Sequence, residues 1–177
     1  MDDKIAEFES LIEANREALY RIAYRLAGNR DDAEDLLMEA LTEAWESFRH
    51  FRSGTDFVRW VATIMTHTFL DWRRKNSHYE FVSLDEPKES GDNEEPMDLP
   101  EEDDDPETVA MKRAFWKAAN KALDELPPEF KAAVVLVDME GLSYEEAAKA
   151  LNCPIGTIRS RLHRARILLR EKLKDWL

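Results

Sequence analysis

Ser143 through Arg166 read SYEEAAKALNCPIGTIRSRLHRAR, and these 24 residues decide the fold. Ser143 stands three residues before Glu146, the spacing of a reciprocal helix-start cap. A short helix is predicted from there through Ala150. Leu151, Asn152, Cys153 and Pro154 then read as a turn, and a longer helix is predicted from about Ile155 to Trp176. Two helices joined by so short a turn form a helix-turn-helix, whose second helix can enter a major groove. That second helix is two-faced. Ile158, Leu162, Ala165 and Leu169 recur at steps of four, three and four, a stripe for burial. Arg159, Ser160, His163 and Arg164 fall on the opposite side. Lys149 to Lys174 holds eight basic residues and one acid, Glu171. Arg suits phosphates and guanine edges, and Thr157 with the free N–H groups of the helix start suits phosphate. A basic stripe alone is most simply a solvated helix face; cap, turn and two-faced helix in succession favour DNA. Arg166 flanks the apolar stripe, which suits a phosphate or intramolecular contact better than a base.

Working outward, helical periodicity also precedes this unit. Val109, Phe115, Trp116, Ala119, Leu123 and Leu126 form one apolar series, broken at Pro127 and Pro128. Phe130 to Met139 reads as a short apolar helix stopped by Gly141. Nearer the start, Ile5, Phe8, Leu11, Ile12, Leu19, Ile22, Ala23 and Leu26 read as one helix ending at Gly28 and Asn29, with Asp31 and Asp32 where the N-cap and first-turn acids of the next belong. That next helix presents Ala33, Leu36, Leu37, Ala40, Leu41, Ala44, Trp45 and Phe48 on one face. Asp56 caps a third, with Phe57, Trp60, Val61, Ile64, Phe69 and Leu70 apolar and Arg73, Arg74 and Lys75 at its end. Trp45, Trp60 and Trp116 are expected in cores. No segment reads as β. The fold class is all-α: two small helical domains, 1–78 and 108–177, joined by an acidic flexible linker over 79–107.

The charge agrees with that division. The 177 residues carry 25 Lys and Arg against 38 Asp and Glu, a net −13. Evenly spread, that charge would repel nucleic acid. Yet residues 1–78 are net −4, residues 79–107 net −13 and residues 108–177 net +4. The polyanionic stretch lacks the apolar residues to offset its ordering entropy, so a disordered tether is expected, able to compete for the basic helix face. The longest apolar run, Ala132 to Val137, is far short of a membrane helix. Met1-Asp2-Asp3-Lys4 does not resemble a signal peptide, and Cys153 is the lone cysteine, so a cytoplasmic setting is expected. His50, His67, His78 and His163 have no metal-site spacing. Neither an enzyme nor a bound cofactor or metal is expected.

The run from Gly141 to Arg166, with Ala122-Leu123-Asp124-Glu125-Leu126-Pro127 ahead of it, resembles the promoter-reading domain of bacterial sigma factors of the extracytoplasmic-function type. Asp32-Ala33-Glu34-Asp35-Leu36 resembles that family's polymerase-binding helix. Phe57, Trp60 and Ile64, followed by Asp71, Arg73 and Arg74, resemble its promoter-melting segment. The resemblance implies a subunit that docks on the clamp helices and flap of core RNA polymerase. It implies promoter DNA as ligand and an anti-sigma factor as regulator. The −35 element would meet Thr157, Arg159, Ser160, His163, Arg164 and Arg166. The −10 element would meet the loop Arg52, Ser53, Gly54 and Thr55, together with Arg59, His67, Trp72, Arg73 and Arg74. Polymerase would meet Asp32, Glu34, Asp35, Leu36, Met38 and Glu39. Met38 stands where the family usually has Gln, and His67 where it usually has Asn, with a different donor and acceptor set. A stand-alone helix-turn-helix regulator, or a sigma mimic that titrates an anti-sigma factor, are the other readings the residues allow.

Overall fold

The structure, a computed structural model, describes residues 2–76 and 103–177. Those residues form eight α-helices and no strand among them. The first lobe holds α1 (Asp2–Ala14), α2 (Arg16–Ala27), α3 (Arg30–Glu46) and α4 (Phe57–Asn76). The second holds α5 (Pro106–Asp124), α6 (Pro128–Val134), α7 (Tyr144–Ala150) and α8 (Ile155–Lys172).

The expected single helix through Leu26 is two. The chain breaks at Asn15, whose side-chain amide donates back to the Leu11 carbonyl at 2.8 Å and so competes with the helix ladder. Gly28 then ends α2 in the left-handed region, φ 86°, its N–H on the Tyr24 carbonyl. Asn29, rather than Asp31 or Asp32, is the N-cap of α3; its side chain accepts from the Asp32 N–H at 2.9 Å. Asn suits the extended backbone of a cap and leaves the acids in the first turn, where they favour the helix dipole. Asp56 does cap α4, accepting from the Arg59 N–H at 3.2 Å.

Small residues set the packing of the first lobe. Ala33, Leu36, Ala40 and Ala44 of α3 are fully buried against α2 and α4, where Leu19, Ile22, Leu26, Val61 and Met65 fill the core. Trp45 departs from expectation: it is 39 % exposed at the rim, tilted on Phe8 with centroids 5.3 Å apart. Trp60 lies half-buried against the same core. Trp116 is half-buried beneath the Arg25 guanidinium, 5.3 Å from its ring centroid.

In the second lobe, α5 starts at Pro106 on an Asp105 cap, two residues inside the expected linker. The rest of that linker expectation, residues 79–102, lies outside the described residues. Pro128 occupies the first turn of α6. That helix runs on into a π turn, Val135–Met139, closed by the Glu140 N–H on the Val135 carbonyl at 2.9 Å. No helix of the described residues is long and apolar enough to cross a membrane. The two lobes meet: Val135, Leu136, Leu142 and Ala150 are buried in one apolar cluster with the first-lobe core.

Candidate nucleic-acid interface

The helix-turn-helix forms as its residues dictate. The Glu146 N–H donates to the Ser143 hydroxyl at 3.0 Å, and the Ser143 N–H donates to the Glu146 carboxylate at 3.1 Å. These bonds favour the charged carboxylate and hold Glu146 below its ordinary pKa. The turn places Asn152 at φ 50°, a conformation Asn tolerates better than most residues. Beneath α8, Ile158, Leu162 and Ala165 are fully buried and fix the roll of the helix. Arg159, Ser160, His163 and Arg164 consequently face solvent, with Thr157 half-buried at the first turn. Among the described residues, no ion pair or side-chain hydrogen bond engages Arg159 or Arg164. The chemistry offered is two unencumbered guanidinium forks and an imidazole on one groove-wide ridge.

Arg166 sits differently. Its guanidinium donates to both Asp138 oxygens, at 3.2 and 2.7 Å, and to the Tyr144 hydroxyl at 3.3 Å. The bonds to Asp138 lead in raising its pKa above the ordinary arginine value. This fork braces α8 against α7 and the π turn, the intramolecular contact its place beside the apolar stripe suits.

In the first lobe, Arg52, Ser53, Gly54 and Thr55 form an exposed turn, closed by the Thr55 N–H on the Arg52 carbonyl at 3.1 Å. Gly54 has φ 91°, and a Cβ there would meet nothing within 4 Å, so the requirement is backbone conformation alone. An aromatic floor supports the turn: Phe51 stacks on Phe48 at 5.6 Å and meets Trp60 at 5.1 Å. His67 is exposed on α4. Trp72 is half-buried, its indole N–H donating to Glu39 at 2.8 Å. Arg74 pairs with Asp71 at 3.0 Å. Arg59 contacts Asp56 at 3.6 Å and donates across to the Gly141 carbonyl of the second lobe at 3.2 Å. Arg73 faces a groove of about 990 Å³ between the lobes, whose other wall includes Lys117 and Lys121 of α5.

The α3 face divides. Glu34 and Asp35 are exposed, Glu34 paired with Arg30 at 3.1 Å, and Met38 is 65 % exposed between them and Glu39. Asp32 is half-buried, held by the Asn29 amide at 2.8 Å. Leu36 must be corrected: it is fully buried among the core side chains and cannot be a docking anchor, which leaves the exposed Met38 and the half-buried Leu37 as the apolar residues there. The sequence reading missed Lys131, Asp124 and Gly28, which meet where the lobes join. A lysine inside the apolar helix Phe130–Met139 was the one visible signal. Among the described residues, no group of acids, histidines and cysteine is arranged to hold a metal.

Comparison with known proteins follows the same division into lobes. Residues 11–79 match the family model for sigma-70 region 2, and residues 117–169 match that for sigma-70 region 4. The chain is 40 % identical over 170 residues to the ECF RNA polymerase sigma factor SigE of Mycolicibacterium smegmatis, covering 96 % of this chain. It spans only 61 % of that relative's length. It is 32 % identical over 150 residues to the ECF RNA polymerase sigma factor EcfG of Rhodopseudomonas palustris, covering 84 % of this chain and 75 % of the relative. Among solved structures, it resembles the sigma factor RpoE of Bartonella quintana, crystallised with the anti-sigma factor NepR. The TM-score is 0.66 at 29 % identity, over 95 % of this chain and 97 % of that one.

Proposed function

This chain belongs to the ECF RNA polymerase sigma factors, and from that premise we propose that it directs core RNA polymerase to a specific set of promoters. The observation that carries the residue assignment is the free ridge of α8. Arg159, Ser160, His163 and Arg164 sit on a rigidly seated helix, and among the described residues no partner competes for the two arginines. In this reading they contact the −35 element, with Thr157 and the N–H groups of the helix start on phosphate. Arg166 supports them from behind.

The first lobe, residues 1–78, takes the other two tasks. Met38 would supply an apolar centre for polymerase docking, ringed by Glu34, Asp35, Glu39 and Asp32, a charge pattern suited to a basic partner helix. The loop Arg52–Thr55, on its aromatic floor, would receive an unstacked −10 base. Arg59, Arg73 and Arg74 would hold the backbone, and His67 and Trp72 would contact the opened strand. The chain contributes no bond chemistry; polymerase supplies it. The acidic tract 79–107 would join the two lobes. An anti-sigma factor is the natural antagonist, as NepR is seen bound to the Bartonella relative.

The test is reconstituted transcription. Core enzyme plus this chain, on a library of genomic promoters, should give starts preceded by one shared pair of elements. Core enzyme that stays unselective, or that fails to retain the chain in a pull-down, would sink the reading and favour a stand-alone regulator.

A further inference from the structure

The seam between the lobes encloses one cation. Lys131 of α6 is 5 % exposed, and its ammonium meets groups of both lobes. Its ammonium donates to the Leu26 carbonyl at the end of α2, 2.6 Å away and 105 residues distant in sequence. It donates to Asp124 of its own lobe at 2.8 Å, and lies 5.4 Å from the centre of the Phe69 ring of α4. A cation is favoured at a helix C-terminus, where carbonyls lack partners. Beside it, Gly28 makes the close approach possible: a Cβ there would lie 2.6 Å from the Asp124 carboxylate. Two further ties flank this contact. Arg25 lies over Trp116 and 3.9 Å from Glu140, and Arg59 reaches the Gly141 carbonyl.

This arrangement cannot be the one that reads a promoter. Elements centred 10 and 35 base pairs upstream lie roughly 25 base pairs apart, roughly 85 Å at about 3.4 Å per pair. A compact globule of this length has a radius of gyration of about 16 Å, so its width is about half that span. Residues 77–102 give enough chain for separation, up to about 90 Å if extended.

We propose that Lys131 is the bolt of an interdomain latch. Seated between the Leu26 carbonyl and Asp124, it holds the free chain closed, turns Arg59 and Arg73 toward the second lobe, and denies the chain both promoter elements at once. Release of the bolt is then a step in loading onto polymerase. The masking half of this inference rests on the promoter reading; the latch itself does not.

The test uses the full chain with spin labels at Glu13→Cys and Glu145→Cys, one per lobe, with Cys153→Ser removing the native thiol. The wild-type free chain should give one short, narrow distance. Lys131→Glu, which sets a carboxylate against a carbonyl and Asp124, should shift the open-to-closed ratio at least about ten-fold, equivalent to about 1.4 kcal/mol. Gly28→Ala, a wedge against Asp124 from the other side, should move it the same way. Circular dichroism establishes that each variant is folded. On DNA with a −35 element and a pre-melted −10 bubble, the opened variants should bind about ten-fold more tightly than wild type, with no gain on the −35 element alone. A wild-type free chain already open, or folded variants with unchanged distances, overturns the latch. Open distances with no gain on the two-element DNA overturn the masking. Polymerase binding is scored separately: its absence would strike the promoter reading while the distances still decide the latch.

Discussion

The two surfaces assigned to DNA are in opposite states. On α8 the reading face stands clear: a buried apolar stripe sets its direction, and Arg159 and Arg164 point outward unpaired among the described residues. On α4 the corresponding groups are engaged. Arg59 bonds to Gly141, Trp72 to Glu39 and Arg74 to Asp71, and Arg73 faces a groove walled by the second lobe. Duplex DNA can be read from outside by a preformed helix, at no cost in rearrangement. A strand that must be opened and held needs groups that become available only when the DNA does. In the proposed division of labour, the α8 face is preformed among the described residues and the α4 face is completed during loading.

The largest effects should come from what holds each face in place. Leu162→Ala removes the centre of the stripe under α8 and should cost roughly 2–5 kcal/mol, read as a lowered urea midpoint, with −35 binding lost in proportion. Leu36→Ala should cost a similar roughly 2–5 kcal/mol in the first lobe, and polymerase affinity should fall only as far as folding does. Met38→Ala should do the reverse: stability within about 0.5 kcal/mol of wild type, with a distinct loss of polymerase affinity. If Leu36→Ala were well folded and still failed to dock, the division of α3 into a core side and a docking side would be wrong.

Next in size is the reading face itself. Arg164→Ala should cost roughly 1–3 kcal/mol on the cognate −35 sequence and flatten the preference at one base position. Equal loss on all sequences, with a salt slope smaller by about one, would make Arg164 a phosphate contact instead. Arg166→Ala should leave both preference and salt slope intact. Its loss should appear in stability, at about 0.2–1 kcal/mol, because the Asp138 pair is partly exposed and screened by solvent. A fall in salt slope would return Arg166 to the DNA contacts.

How much of this was legible depends on range. The capping box, the turn and the two-faced α8 are local patterns, and the structure reproduces them, except that α8 ends at Lys172 and a separate 3-10 turn, Lys174–Trp176, takes the place of its expected last residues. The Ala and Leu face of α3 was legible for the same reason. The error at Leu36 came from using it twice: its spacing from Ala33, Ala40 and Ala44 already turned it inward, while the family resemblance named it a polymerase contact. Asn15 split a helix because one side-chain amide outcompeted a periodicity that continued across it. The seam was legible only as one lysine inside an apolar helix, with no sign of its partners. Lys131 and Leu26 are 105 residues apart, and nothing in either neighbourhood specifies the other.

The smallest expected effect probes that seam through pH. Glu140 lies between the lobes, and burial raises its pKa above the ordinary 4.5, against the opposing pull of Arg25, Arg21 and Arg59 and with the repulsion of Asp56. A carboxyl with a raised folded pKa contributes stability in full below its unfolded value and loses it as pH rises through the folded one. Between those two values the folded chain binds more protons than the unfolded chain, so this group makes stability fall as pH rises. Asp105 and Glu146 act in the opposite sense, since their caps lower them and their contribution is lost toward acid. The informative quantity is therefore the difference between wild type and Glu140→Gln, in which the caps cancel. The uncharged isostere should match wild type near pH 4 and exceed it modestly at pH 7, in urea midpoint and in the closed fraction alike. Parallel pH profiles for the two chains would mean that Glu140 stays charged without penalty at the seam, and that Arg25 compensates its burial in full.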